Sequence, residues 1–481
     1  MTDTRSALHV DLLVIGGGTA GIVAAKTAAR FGAEVVLVER DRMGGDCLWT
    51  GCVPSKSLIA AADAATRARS SVELGVTSQN VTVDFAAVMR HVHAAIRTIE
   101  PEDSPEALAA VGARVIAGSA RFVGPREADV DGERIHFRQA LIATGSAPIM
   151  PTIEGLDRVD TLTSETVWDL PELPERLLVL GGGAIGCELA QAFARLGSHV
   201  TIVQRNARLL PKEDEAASAI VAGALRQDGV TVLTGTELAS IEPASDGRGG
   251  TGMLSTGQTV PFDRILVALG RAPRVDDLDV TAAGVRVDDR GYVAVDDALR
   301  SSNRRIWAAG DVTGLPAFTH LAGVGGSTAA TNAVLGLRRR IDRRSVPRVT
   351  FTHPEVAAVG VRADDAAAHG CTVSEVQHAH TDRAIAEGEL SGFTRLVIDR
   401  RGRVRGATIV GPRAGESIGE ACLAISVGLT TSAISSATHP YPTYSDALWN
   451  AAIADVRSRL ESGALSITIG VLARVRLLVT R

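Results

Sequence analysis

Two short runs without a polar position stand out along the chain, each closed by three consecutive glycines and followed by an alanine-rich stretch of helical period. In the first, Leu12-Leu13-Val14-Ile15 predicts a strand buried on both faces of a parallel sheet. Gly16-Gly17-Gly18-Thr19-Ala20-Gly21 predicts a tight turn, Ile22 to Phe31 a helix, and Val35-Val36-Leu37-Val38 a second buried strand. The order repeats from Leu177-Leu178-Val179-Leu180 through Gly181-Gly182-Gly183-Ala184-Ile185-Gly186, a helix reaching Leu196, and the strand Val200-Thr201-Ile202-Val203. Beyond Val346 the texture changes to strand-like segments such as Thr394–Ile398 and Ala407–Val410, each preceding a helix.

A strand, a glycine turn and a helix in that order form a cradle for a dinucleotide pyrophosphate. Gly16 permits the turn, Gly18 lets phosphate approach the backbone, and Gly21 allows helix and strand to pack closely. Glu39 closes the second strand, where a carboxylate accepts hydrogen bonds from an adenosine ribose. In the second cradle Gly181, Gly183 and Gly186 take the same places. Counting 23 residues from Gly16 reaches Glu39, and 23 from Gly181 reaches Gln204, followed by Arg205 and then Arg208. With the acid gone and arginines beside the position, a 2′-phosphate is attracted rather than repelled, so NADPH is expected over NADH. The bland alternative leaves Arg205 and Arg208 as solvated surface charges. The predicted class is therefore α/β, with two Rossmann-like dinucleotide-binding domains followed by an α+β domain.

Composition narrows the setting. A chain of 481 residues needs two to four cores, and 45% hydrophobic with 22% charged residues suits soluble domains. A net charge of -5 gives no reason to expect a nucleic-acid partner. Five cysteines and no apolar leader before Asp11 point to a reducing, cytoplasmic setting, where a disulfide is catalytic or regulatory. Cys47 and Cys52, within Gly44-Gly45-Asp46-Cys47-Leu48-Trp49-Thr50-Gly51-Cys52-Val53-Pro54-Ser55-Lys56, follow directly on the first cradle. By spacing alone they read more readily as buried thiols than as partners; by position they read as a redox pair. No short-range ligand set for a resident metal is formed by Cys187, Cys371 and Cys422.

These segments, together with Ala143-Thr144-Gly145, Ala268-Leu269-Gly270-Arg271-Ala272-Pro273, Ala309-Gly310-Asp311 and Phe351 to Gly360, resemble the class I pyridine nucleotide-disulfide oxidoreductases. That family contains dihydrolipoamide dehydrogenase, glutathione reductase and mercuric reductase. The resemblance implies FAD in the first cradle, held by Gly16, Gly18, Gly21, Glu39, Gly45, Lys56, Thr144, Gly145 and Asp311. It implies a nicotinamide cofactor, NADPH or NADH, at Gly181, Gly183, Gly186, Arg205, Arg208 and Gly270. Electrons then pass to a Cys47–Cys52 disulfide, Cys52 nearer the flavin and Cys47 facing the acceptor, with Lys56 paired to Glu188. Ala184 stands where glutathione reductase carries a tyrosine gate, which leaves nicotinamide access less obstructed.

The same resemblance divides the chain into an FAD domain (1–150, completed by 272–345), an inserted NAD(P) domain (151–271), a dimerisation domain (346–465) and an apolar, basic tail (466–481). The arginine-rich stretch 338–344 reads as an exposed link, and a homodimer sharing its active site is expected. In Thr438-His439-Pro440-Tyr441-Pro442-Thr443-Tyr444-Ser445-Asp446, Tyr441 takes the place of the family's acid/base histidine and Asp446 that of its glutamate partner. A phenol titrating near 10 is a poor shuttle at neutral pH, so lipoamide and glutathione disulfide are expected to be poor acceptors. Mercuric reductases also carry tyrosine there, but add a pair of adjacent cysteines near the C-terminus that this sequence lacks. The expected reaction is NAD(P)H oxidation through FAD and the dithiol to a small-molecule acceptor. Direct quinone reduction at the flavin, metal reduction, dihydrolipoyl dehydrogenase activity and a non-catalytic flavin sensor are the alternatives. The tail reads as a helix or strand docked on the dimerisation domain, with peripheral membrane contact as the second reading.

Overall fold

The computed structural model describes residues 8–245, 247–461 and 463–480, with side chains 463–466 set aside. Any leader ahead of Leu8, and Arg481 of the tail, lie outside the described residues. Two compact units form, one from residues up to 205 with 236–341, the other from 206–235 with 342 onward.

In the first unit, β1 (Leu8–Ile15) leads into α1 (Thr19–Arg30) and β2 (Val35–Glu39). Two helices follow, α2 (Gly45–Trp49) and α3 (Cys52–Ser70), then β3 (Ala113–Ala117) and the long β4 (Glu133–Ile142). The first sheet runs β3-β2-β1-β4 with parallel pairing, and Leu13↔Val36 and Leu13↔Ala140 set its register. Alternation along β1 divides its side chains between two cores. Leu12 and Val14 pack with α1, while Leu13 and Ile15 pack with Phe122, Ala128 and Ile306 on the other face. This double burial explains why the run from Leu12 to Ile15 has no polar position.

The second cradle is built from β5 (Arg176–Leu180), α4 (Ala184–Leu196) and β6 (His199–Gln204), with β7 (Arg264–Val267) parallel to β5 on its other side. The chain then returns to the first sheet as β8 (Ile306–Ala308), parallel to β4, and continues into α5 (Thr319–Leu335). Close approach of α5 to α1 depends on Gly326, where a Cβ would lie 2.1 Å from the Ala20 carbonyl oxygen.

In the second unit an antiparallel sheet is formed by β9 (Pro347–Thr350), β10 (Glu355–Gly360), β11 (Thr372–Gln377), β12 (Phe393–Ile398) and β13 (Val404–Gly411), ordered β9-β10-β13-β12-β11. Ala357, Leu396 and Ile409 on the sheet share a core with Ile418 of α6 (Ala414–Val427) and Leu448 of α7 (Asp446–Glu461). The tail forms one helix, α8 (Gly463–Val479), whose described side chains from Ile467 onward are exposed. The expected docking on the dimerisation domain is therefore not what these side chains do.

Candidate active site

The two glycine turns have the same geometry. Gly16 and Gly181 both sit at φ +108°, and a Cβ on either would lie 2.4 Å from a carbonyl oxygen, that of Ala143 or Ala268. At Gly21 and Gly186 the added carbon would lie 1.9 Å from the Gly16 or Gly181 oxygen. Only glycine fits these four places. No side chain caps α1 or α4, which leaves first-turn amides for a phosphate, and a Cβ on Gly183 would meet nothing within 4 Å. The first turn thus fits the pyrophosphate of FAD, and the second that of a nicotinamide dinucleotide.

The cradles differ at one chemical position. Gly17 N–H donates to Glu39 Oε2 at 2.5 Å, and Gly182 N–H donates to Gln204 Oε1 at 3.3 Å. A neutral amide thus replaces a carboxylate in an otherwise equivalent place. Beyond it Arg205 is 80% exposed and lies 3.5 Å from Glu237, whereas Arg208 donates to the carbonyls of Glu213 and Pro211 at 2.8 and 3.2 Å.

Cys47 lies on α2 and Cys52 opens α3, where the helix N-terminus favours a thiolate. Gly44 and Gly45 hold α2 against the first cradle. Gly44 N–H donates to the Gly17 carbonyl at 2.9 Å, and a Cβ on Gly45, at φ +58°, would lie 2.6 Å from the Gly18 Cα. The neighbouring Cys47 thiol is the main influence drawing Cys52 down to about 6; desolvation opposes it, and Thr319 and the Lys56 charge assist. The Cys52 sulfur, together with burial, pushes Cys47 strongly up. Thr319, the first residue of α5, places Oγ1 3.3 Å from Cys52 Sγ.

Lys56 Nζ lies 3.0 Å from Glu188 Oε2. Seven residues further along both helices Asp63 meets Arg195 at 2.6 Å. Equal spacing on α3 and α4 means that the helices run parallel and are stapled twice on one face, about 10 Å apart. Arg69 adds a bond to the Arg195 carbonyl at 2.5 Å. Glu188 is 7% exposed, so the lysine charge is held by a partner largely removed from solvent.

Asp311 follows Gly310, at φ +79°, and accepts from Ser146 Oγ at 2.7 Å. Thr144 uses its hydroxyl on the Arg274 carbonyl at 2.6 Å, Gly145 takes φ +70°, and Gly270 takes φ +132°. Arg271, 17% exposed, connects these loops. Its guanidinium donates to Ser146 Oγ and O at 2.8 Å, to Ser164 Oγ at 3.2 Å, to Glu165 at 3.3 Å, and to Asp46, the neighbour of Cys47. Trp168 Nε1 donates to Thr50 O at 2.9 Å, fastening the loop between the cysteines. Arg271 was visible only as part of a motif, while Thr319 and Trp168 carried no sequence signal for the site.

In the second unit the Tyr441 phenol donates to Asp382, not to Asp446, and that carboxylate raises the phenol's pKa. Asp446 accepts from Asn450 at 2.9 Å, and burial raises its carboxyl above the usual range despite that bond. The expected Tyr441–Asp446 partnership is thus replaced by Tyr441–Asp382. His439 lies 2.8 Å from Glu420 and 3.1 Å from the Ala437 carbonyl. Burial disfavours its charge, but the two oxygens outweigh burial and raise its pKa. Among the described residues no group of three or more His, Cys, Asp or Glu side chains could hold a metal ion.

Two dinucleotide cradles, with a cysteine pair packed against the first, define a flavin-linked nicotinamide oxidoreductase. Residues 10–334 match the pyridine nucleotide-disulphide oxidoreductase domain and 346–452 its dimerisation domain; the chain belongs to this family of FAD-dependent, NAD(P)H-using enzymes. It is 38% identical over 458 residues to mercuric reductase of Streptomyces lividans, covering 91% of this chain and 94% of the relative. It is 34% identical over 456 residues to dihydrolipoyl dehydrogenase of Geobacillus stearothermophilus, covering 93% and 96%. Among solved structures, LpdA of Mycobacterium tuberculosis superposes with a TM-score of 0.85 at 28% identity, covering 92% of this chain and 99% of that one. The Cu(II) complex of RclA, an HOCl-induced flavoprotein disulfide reductase of Escherichia coli, superposes at 0.83 with 27% identity, covering 92% and 99%.

Proposed function

We propose that the chain oxidises NADPH and delivers the electrons through the Cys47–Cys52 pair to a small thiophilic acceptor, a soft metal ion in preference to a dithiolane or peptide disulfide. The observation that carries this reading is the unequal placement of the two thiols: Cys52 opens α3 with Thr319 Oγ1 3.3 Å from its Sγ, which favours its thiolate over that of Cys47. Two electrons and one proton convert the disulfide into a Cys52 thiolate and a Cys47 thiol, and the neighbouring thiol favours the thiolate. FAD, when bound at the first cradle, supplies the conversion of hydride into an electron pair that a disulfide can accept. Lys56 holds positive charge near the Cys52 thiolate, and Glu188 holds Lys56. Thr319 supplies a further hydrogen bond to Cys52.

Cys47 keeps its proton at neutral pH, so attack on a disulfide acceptor needs a base to remove it and an acid for the leaving thiolate. Tyr441, with its pKa raised by Asp382, is no base at neutral pH. A soft metal ion bypasses that demand, because binding to sulfur itself displaces the Cys47 proton. Transfer of two electrons from the two sulfurs then reduces one mercuric ion to the metal, or two cupric ions to cuprous ions, and restores the disulfide. The names of relatives support this acceptor class, mercuric reductase at 38% identity and RclA as a Cu(II) complex at 27%. NADPH preference rests on neutral Gln204 where the first cradle has Glu39, with exposed Arg205 beside it.

The test is anaerobic NADPH consumption with mercuric ion, cupric ion, lipoamide, oxidised glutathione and a soluble quinone, in the wild type and in Cys47→Ser. Metal reduction should be lost in the variant while quinone reduction at the flavin survives. Lipoamide turnover matching the best metal rate, or metal reduction unaffected by Cys47→Ser, would refute the assignment.

A further inference from the structure

We propose that α8 lies in the plane of an anionic membrane surface and tethers the enzyme there. The family's dimerisation domain matches as far as residue 452, and α8 begins at Gly463, so the helix is an addition to the domain that builds the catalytic fold. At about 100° per residue, Ile467, Leu478, Val471, Val475, Val479 and Leu472 fall within one arc of roughly 140°. These side chains are uncovered: Val471 is 54% exposed, Leu472 63% and Leu478 74%.

Arg474 and Arg476 are two residues apart, and that spacing puts one at each edge of the apolar arc, about 20° and 40° beyond it. Thr468 alone interrupts the arc; Ile469 and Leu477 are the large apolar residues on the opposite side among the described side chains. No aspartate or glutamate follows Glu461. An apolar stripe bordered by arginines matches a headgroup boundary, where apolar side chains enter the acyl region and guanidinium groups reach lipid phosphate.

Length and charge argue against spanning. A 17-residue helix reaches about 26 Å, short of a hydrocarbon core of about 30 Å, and among the described residues no helix is long and apolar enough to cross. A second copy of the chain is a worse cover for the stripe. Pairing two such faces about a two-fold axis would bring four arginines to one seam with no acid to meet them.

The experiment is co-sedimentation of the FAD-loaded enzyme with vesicles of equal parts phosphatidylglycerol and phosphatidylcholine, and with phosphatidylcholine alone. Each basic residue near an anionic surface adds about 1 kcal/mol, so binding should be roughly 30-fold tighter on the anionic vesicles and should fall with added salt. A chain ending at Glu461 should lose vesicle binding while keeping flavin absorbance, assembly state and NADPH consumption with a soluble acceptor. Arg474→Glu with Arg476→Glu, in the full chain, should also lose it. Failure to bind anionic vesicles, or binding unchanged by either alteration, overturns the proposal. So does a truncated chain that merely falls from dimer to monomer, which would identify a second copy as the cover.

Discussion

Replacing Thr319 by valine removes one hydrogen bond from Cys52 while keeping side-chain shape, and so isolates what the hydroxyl contributes to the thiolate. Hydrogen bonds to charged acceptors are worth about 1.5 to 3 kcal/mol. Sulfur at 3.3 Å and an exposed residue place this one near or below the lower end, at about 1 kcal/mol. With about 1.36 kcal/mol for each pH unit, the Cys52 midpoint should rise by about 0.7 unit from about 6. The assay is the alkylation rate of Cys52 in the reduced, FAD-loaded enzyme as a function of pH, read by mass spectrometry of the peptide containing it. The thiolate is the reacting form, so below the midpoint the rate should fall about tenfold per pH unit. At pH 6 the variant should therefore react roughly three-fold more slowly, and the two curves should converge above about pH 8. Thr319→Ser should restore the original midpoint. A Thr319→Val curve superimposable on that of the wild type would refute the role given to the hydroxyl.

Gln204→Glu puts a carboxylate where the second cradle now has an amide, and should raise the NADPH KM about tenfold or more while sparing NADH; Arg205→Ala should act in the same direction. Equal changes for both cofactors would defeat the phosphate argument. Arg271→Met strands Asp46, while Glu165 keeps Arg274 at 2.7 Å, and because Asp46 is 39% exposed the usual cost of about 3–5 kcal/mol should fall to roughly 2–3 kcal/mol. Faster alkylation of Cys47, partly reversed in Arg271→Lys, would report that loosening; an unchanged rate would not fit. Because the His439 pKa is raised in the folded state, its pairing with Glu420 stabilises fully below about pH 6.5 and fades as pH rises through the raised value. Glu420→Gln should flatten that part of the thermal midpoint profile between pH 6 and 8.

What sequence reading reached and what it missed divide along physical lines. The cradles were legible because Gly16, Gly21 and Glu39 are fixed by covalent spacing within one strand-turn-helix-strand unit. Pairings across long loops were not. Cys52 and Thr319 are separated by 267 positions, and Asp46 and Arg271 by 225, and only packing of the sheet brings either pair together. Tyr441 was identifiable as a departure from histidine, yet its partner Asp382 lies 59 residues away on a separate short helix, so the nearer Asp446 looked like the natural candidate. The tail's composition was plain in the sequence. That its described apolar side chains, from Ile467 onward, are exposed was not.

Gly44 and Gly45 fasten the helix that carries Cys47 to the turn that cradles a dinucleotide, through one backbone hydrogen bond and a contact too close for any side chain. Such a joint removes a degree of freedom. The position of Cys47 cannot drift relative to the phosphate loop without breaking it, so inherited changes of acceptor have little room to operate by moving the sulfurs. They must act on whatever approaches the sulfurs from outside. Enzymes with one conserved electron outlet can therefore serve very different clients, with selectivity written on the surrounding surfaces.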